Sequence, residues 1–152
     1  GVPVPPQEPT TPAAPRPAPD GLADTFRAVS RRLRAQTAAA LAPWDVTPAQ
    51  ARALGMLARF GPVRLGALSE HLRIAPRSAT EVVDALETRG LVERHPDPAD
   101  RRAILVAPTG RGEEVAAAIR SARAAEAEEF FARLAPADRA ALTRILDALL
   151  GQ

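Results

Sequence analysis

The chain is 152 residues long, 46% apolar by residue, and carries 20 basic against 18 acidic side chains, a formal charge of +2. The absence of cysteine excludes disulfides, thiolate metal sites and thiol redox switching. No apolar run exceeds about five residues, which excludes a membrane-spanning helix and a signal-peptide core and predicts a cytoplasmic protein.

Residues 1–20, GVPVPPQEPTTPAAPRPAPD, hold eight of the sixteen prolines and almost no large apolar groups, so they read as a flexible polyproline-like tail. From residue 21 to 42 a helix is expected, with Leu22, Phe26, Val29, Leu33 and Leu41 on a stripe opposite Arg27, Arg31 and Arg34, and Asp20 as its cap. The stripe is either internal core or half of a subunit interface. Pro43 and Trp44 interrupt the chain. Thr47-Pro48-Ala49-Gln50 then forms a capping box for a second helix that turns Leu54, Leu57 and Ala58 inward and stops before Gly61-Pro62. Trp44 and Met56 either line a cavity toward the terminal helices or pack as ordinary core.

Residues 62–112 contain two short helices, a tight turn and a hairpin in unbroken order, which reads as a winged helix-turn-helix. Leu65, Leu68 and Leu72 share one face of the first helix, and Ile74 sits in the turn. Pro76 suits the first turn of the second helix, where its missing N–H would be unpaired in any case. Ala79, Val82, Val83 and Leu86 form the buried stripe of that helix, so Arg77, Ser78, Thr80, Glu81 and Asp84 lie off it. Gly90 supplies a left-handed helix terminus. Leu91–His95 and Ala103–Ala107 are strand-length runs flanking PDPADRR, which predicts a hairpin with a long charged tip. Arg101 and Arg102 are placed at that tip with Asp100 as a local brace, within reach of a minor groove beside the recognition helix.

Thr109 is expected to cap a long helix through about Leu134, with Val115, Ile119, Ala122, Phe130 and Leu134 on one side. After Ala135-Pro136 a last helix puts Leu142, Ile145, Leu146, Leu149 and Leu150 on a stripe too broad for a chain end, and such a stripe wants a second surface.

Charge alone does not announce nucleic acid, because residues 43–107 hold nine arginines against eight acids. A DNA reading rests on where individual arginines project. Catalysis is rejected: Ser30, Ser69, Ser78 and Ser121 have no visible His/Asp partners, no glycine-rich phosphate loop is present, and the paired acids are helix-surface charge. His71 and His95 read as surface or packing residues, so no metal site or cofactor is expected.

The LSEHLRIAP turn, the ATEVVDALETRGLVER passage and the DPADRR wing followed by Thr109 and Gly112 resemble the MarR-type bacterial transcriptional regulators, over roughly residues 21–150. Pro108 departs from the leucine usual in that family, and Glu81 from a basic or polar residue. The resemblance implies a mostly helical protein with a small β-hairpin wing: a winged unit over residues 43–107 and a dimerisation layer built from residues 21–42 and 108–152. It further implies a homodimeric, usually repressing regulator on pseudo-palindromic double-stranded DNA. Arg77, Ser78, Thr80, Glu81, Arg101 and Arg102 would be at the DNA, Asp84 and Asp100 would brace the wing, and Arg102 would lean on Asp84. A phenolic or anionic organic effector would sit between the helical layer and the winged unit, near Arg27, Trp44, Arg52 and Met56. The rival reading is a winged helix used for protein contact, which has no need of two arginines at its wing.

Overall fold

The described residues form six α-helices and a three-stranded antiparallel sheet, in the order α1 (Leu22–Ala38), α2 (Pro48–Phe60), β1 (Val63–Arg64), α3 (Leu65–Leu72), α4 (Pro76–Thr88), β2 (Val92–Asp97), β3 (Asp100–Pro108), α5 (Gly110–Phe131) and α6 (Pro136–Leu149). The computed structural model describes residues 1–7, 9–10 and 21–152. The expected Asp20 cap lies outside the described residues, as does most of the proline-rich segment. Gly21, at φ 92°, precedes the first turn of α1.

The apolar spacing of each helix fixes what it buries. Leu54 and Leu57 of α2, Leu68 and Leu72 of α3, and Val83 and Leu86 of α4 meet Leu91, Val92 and Val106 of the sheet and Ala116 of α5 in one cluster. Each such large side chain taken from water contributes about 1.5–3 kcal/mol, so this cluster is the main source of stability in the winged unit. The helix starts agree with the residues that announce them. Thr47 and Gln50 exchange both bonds of the capping box, at 3.1 and 3.2 Å. Thr109 accepts from the Gly112 amide at 3.0 Å.

Three local expectations are corrected, and one short strand is added. The first helix does not run to Leu41: it tightens into a 3-10 turn over Ala39–Trp44, with Pro43 inside it, and Leu41 buries against Val46, Ala51 and Ile119 in a second cluster. The long helix stops at Phe131, short of Leu134. A two-residue strand, β1, precedes α3 and pairs with the middle strand β3, Val63 opposite Val106 and Arg64 opposite Leu105. The wing has no long tip. Its strands run to Asp97 and from Asp100, leaving only Pro98-Ala99 between them. Asp97 accepts from the Ala99 amide at 2.9 Å, and an aspartate followed by proline favours just such a tight turn. The slack is taken up inside β3. Pro96 pairs with Ile104 and the next residue, Asp97, pairs with Asp100, so Arg101, Arg102 and Ala103 form a bulge.

The two ends of the wing meet at one crossing. Gly90, at φ 72°, closes α4, with the Leu91 amide donating to Leu86 O at 3.0 Å. There the Thr109 amide donates to Leu91 O at 3.1 Å and the Thr109 hydroxyl to Gly90 O at 2.7 Å. Gly112 packs so close that a Cβ on it would stand 1.9 Å from the Leu91 carbonyl oxygen. Backbone cannot step aside as a flexible side chain can. Gly112→Ala is therefore expected to destabilise the protein by about 2 kcal/mol or more, read as a lower urea midpoint, whereas Gly110→Ala, which meets open space, leaves the midpoint near its original value.

Candidate DNA-binding surface

Helix α3 ends at Arg73, a non-glycine residue in the left-handed region at φ 55°, whose amide donates to Glu70 O. This turn, closed also by Ile74 N to Ser69 O at 3.2 Å, swings the chain into α4. Pro76 opens α4, as its fixed φ and missing donor suit. Ala79, Val83 and Leu86 bury, and Arg77, Ser78, Glu81 and Asp84 are exposed. Thr80 is half-buried and its hydroxyl donates to Pro76 O at 3.0 Å, so it is partly engaged within the helix. Arg77 and Glu81 approach to 3.8 Å with both side chains largely in solvent, a contact worth little.

Asp84 does not take Arg102. Its partner is Arg94 of β2, at 2.5 Å, and the same guanidinium reaches Glu87 at 2.8 Å. Arg94 thus ties α4 to the base of the wing and offsets two carboxylates on the exposed side of α4. Sequence reasoning missed this residue. The pairing spans ten and seven positions, beyond any helical or hairpin spacing, and only the assembled fold brings the groups together.

The bulge in β3 sends the two wing arginines to different sides. Arg101 borders a cleft with Arg94, His95 and Pro96. Arg102 borders another with Arg64, Leu65, Gly66 and Glu70. Both side chains are exposed, and among the described residues neither guanidinium makes an ion pair. Asp100 braces the bulge through the backbone, accepting from the Arg102 amide at 3.0 Å. Asp97 is nearly buried and accepts from Arg64, another residue that sequence reasoning passed over, at 2.8 Å. The Ala99 amide, aided by Arg64 and opposed by burial, holds the Asp97 carboxyl below the ordinary aspartate range. A depressed folded-state value means that this fastening is fully present above about pH 4 and is lost as the pH falls through the lowered value.

The four residues expected around an effector are not gathered into one place. Arg27 is exposed and pairs with Asp24 at 3.0 Å. Trp44 packs on the cluster of Leu41 and Ile119, whereas Met56 packs on the main core. Arg52 donates to Leu72 O at 2.7 Å and borders two cavities. The larger, about 650 Å³, lies among α1, α2 and α5 with Leu33, Arg34, Leu41 and Arg123 in its wall. The smaller, about 350 Å³, includes Met56, Phe60 and His71. Arg27 and Trp44 border neither. Among the described residues, no group of three His, Asp or Glu side chains could hold a metal ion, and no helix is long and apolar enough to cross a membrane.

Comparison with known proteins agrees with this geometry. The family model described as the MarR family matches residues 44–103, the span from the 3-10 turn through the wing arginines. The helix-turn-helix-type transcriptional regulator Mb0904 of Mycobacterium bovis is 34% identical over 122 residues, covering 80% of this chain and 82% of its own. The crystal structure of RV1404 from Mycobacterium tuberculosis superposes with a TM-score of 0.76 at 32% identity, over 92% of this chain and 97% of that one. Wild-type MarR from E. coli shares the fold at a TM-score of 0.79 and 24% identity, over 86% and 96% of the two chains. With a helix-turn-helix, a braced wing and a relative matched over about four fifths of both chains in agreement, the chain belongs to the MarR family of winged helix-turn-helix, DNA-binding transcriptional regulators.

Proposed function

We propose that the protein acts as a homodimeric repressor on a pseudo-palindromic operator, with α4 in a major groove and the wing arginines against the flanking backbone and minor groove. The observation that carries this reading is the Arg94 bridge. It sets Arg77, Ser78, Thr80 and Glu81 on α4 in a fixed relation to Arg101 and Arg102 on the wing, so that both arms can engage one face of a duplex. Because Arg101 and Arg102 diverge, they serve different phosphates or groove walls, not one shared contact.

Two copies are supported by what α1 and α6 leave uncovered. Neither helix has a buried residue. Leu22, Phe26 and Val29 on one, and Ile145 and Leu149 on the other, are exposed, and among the described residues no other element covers them. Nη2 of Arg139 donates to both carboxylate oxygens of Glu128, at 2.5 and 2.6 Å, and fastens α6 to α5. Residues 21–42 and 108–152 then supply the dimer layer and residues 43–107 the reading unit, with half-sites about one helical turn apart.

The effector reading moves to the 650 Å³ cavity, whose volume suits a small ligand and whose wall combines Leu33, Leu41 and Ala127 with Arg34, Arg52 and Arg123. Apolar walls with convergent guanidinium groups favour an aromatic carboxylate or a phenolate. Of the residues expected from the sequence only Arg52 belongs to it.

Binding to a duplex selected from a genomic library is expected to fall steeply with salt and to occur as two chains per operator by light scattering. Arg101→Ala and Arg102→Ala each weaken it by about 1–3 kcal/mol. Glu81→Gln relaxes preference at one base pair if Glu81 accepts from a cytosine, and tightens binding to all sequences alike if it only repels phosphate. Salt-insensitive binding, with neither arginine variant impaired, would return the wing to a protein-contact role. Removing residues 136–152 is expected to yield aggregation, and a soluble monomer competent for DNA would move the dimer interface elsewhere. Titrating benzoates and phenols is expected to release the operator, with Arg123→Ala raising the concentration needed about tenfold. Release that ignores Arg123→Ala would exclude this cavity.

A further inference from the structure

We infer that Arg64 and Asp97 form a latch that positions the wing for its groove, with Arg64 acting on DNA through Asp97 and not by its own contact. The inference rests on the reading above that the wing engages DNA.

Asp97 is one of two buried polar residues among those described. Its carboxylate has two tasks at once. One oxygen accepts the Ala99 amide at 2.9 Å and so shapes the Pro98-Ala99 turn. The other accepts from Nε of Arg64 at 2.8 Å and has Nη2 of the same guanidinium beside it as an ion pair, also at 2.8 Å. Arg64 stands at the junction of β1 and α3, and gives α3 no side-chain cap. Opposite Leu105 of the central strand, it reaches across β3 to the far end of β2. The group that folds the wing's turn is thereby fastened to the first helix of the helix-turn-helix.

Without this fastening the regular pairing of the wing ends at Pro96 and Ile104, and the bulge that carries Arg101 and Arg102 lies beyond it. A nearly buried carboxylate without its cation is unfavourable, so the turn would open to hydrate it. The arginines would then need to be ordered again on each encounter with DNA. Arg102 borders the same cleft as Arg64, yet only Arg64 is held by a carboxylate. The neighbouring guanidinium is left for phosphate.

The test compares operator binding and groove-specific footprints for Arg64→Ala, Arg64→Lys, Asp97→Asn and Arg102→Ala in the full chain. Arg64→Ala and Asp97→Asn are expected to weaken binding about tenfold each, similar to loss of a wing contact, and to lose the flanking hydroxyl-radical protection while keeping methylation protection in the major groove. Arg64→Lys, which keeps the charge and one donor, falls between Ala and the parent. The Asp97 variant separates positioning from contact: removing a negative charge near DNA would favour binding by electrostatics alone, so a loss there supports the latch. Combining Arg64→Ala with Arg102→Ala should cost less than the product of the two single effects, because a displaced wing has already forfeited Arg102. Unchanged affinity in Asp97→Asn, or loss of both protections together in the Arg64 variants, overturns the latch. If Arg101→Ala and Arg102→Ala are themselves silent, it is the wing reading that fails.

Discussion

Where α5 leaves the sheet, backbone meets backbone with no space for a side chain, and the position of the wing follows from that contact. Gly112 lies against the Leu91 carbonyl, and Thr109 bonds the carbonyls of Gly90 and Leu91. The last turn of α4, the start of β2, the end of β3 and the first turn of α5 are therefore one junction, with Leu54 of α2 packed alongside. The hairpin from Val92 to Pro108 projects from this junction as a cantilever. Its root is set by backbone geometry together with the ion pairs of Arg94, and its far end by the Arg64–Asp97 ion pair, so the two are open to separate perturbation.

Those ion pairs also explain how a nearly neutral chain can present cations to DNA. Arg94 answers Asp84 and Glu87, and Arg64 answers Asp97, so the acids of the recognition helix and wing turn are largely paired within the protein. Arg101 and Arg102 remain exposed beside them, and Arg73 is exposed at the turn that leads into α4. Local placement, not the formal charge of +2, decides the potential along that face.

The parts of this fold that sequence could announce are those governed by short-range rules. The capping box at Thr47, the proline opening α4, the terminus at Gly90 and the apolar stripes all depend on neighbours within about one or two turns. The wing was legible in existence but not in form. PDPADRR reads as a polar loop, and nothing local shows that its two arginines fold back into a strand as part of a bulge. The Asp97-Pro98 pair was a turn signal that could have shortened the expected loop. β1 is too short to show an alternation, and Arg94 and Arg64 find their partners only through tertiary packing. The same limit applies to the residues expected around an effector: Arg52 and Met56 line one cavity, whereas Arg27 and Trp44 border neither it nor the larger one.

Two side-chain bridges within residues 43–107 tie the wall of the large cavity to the helix-turn-helix and bear on any ligand response. Arg52 borders the large cavity and donates to Leu72 O, at the end of the helix that feeds the recognition turn. Arg89, just past α4, donates to the carbonyls of Trp44 and Asp45, where the 3-10 turn carrying Leu41 from the cavity wall comes to an end. A ligand in the cavity shifts DNA affinity only if it binds one spacing of the two recognition helices better than another. These bridges attach the cavity wall to the end of α3 and to the end of α4. The size of the response is then bounded by the difference in ligand contacts between the two arrangements, however tightly the ligand binds either one.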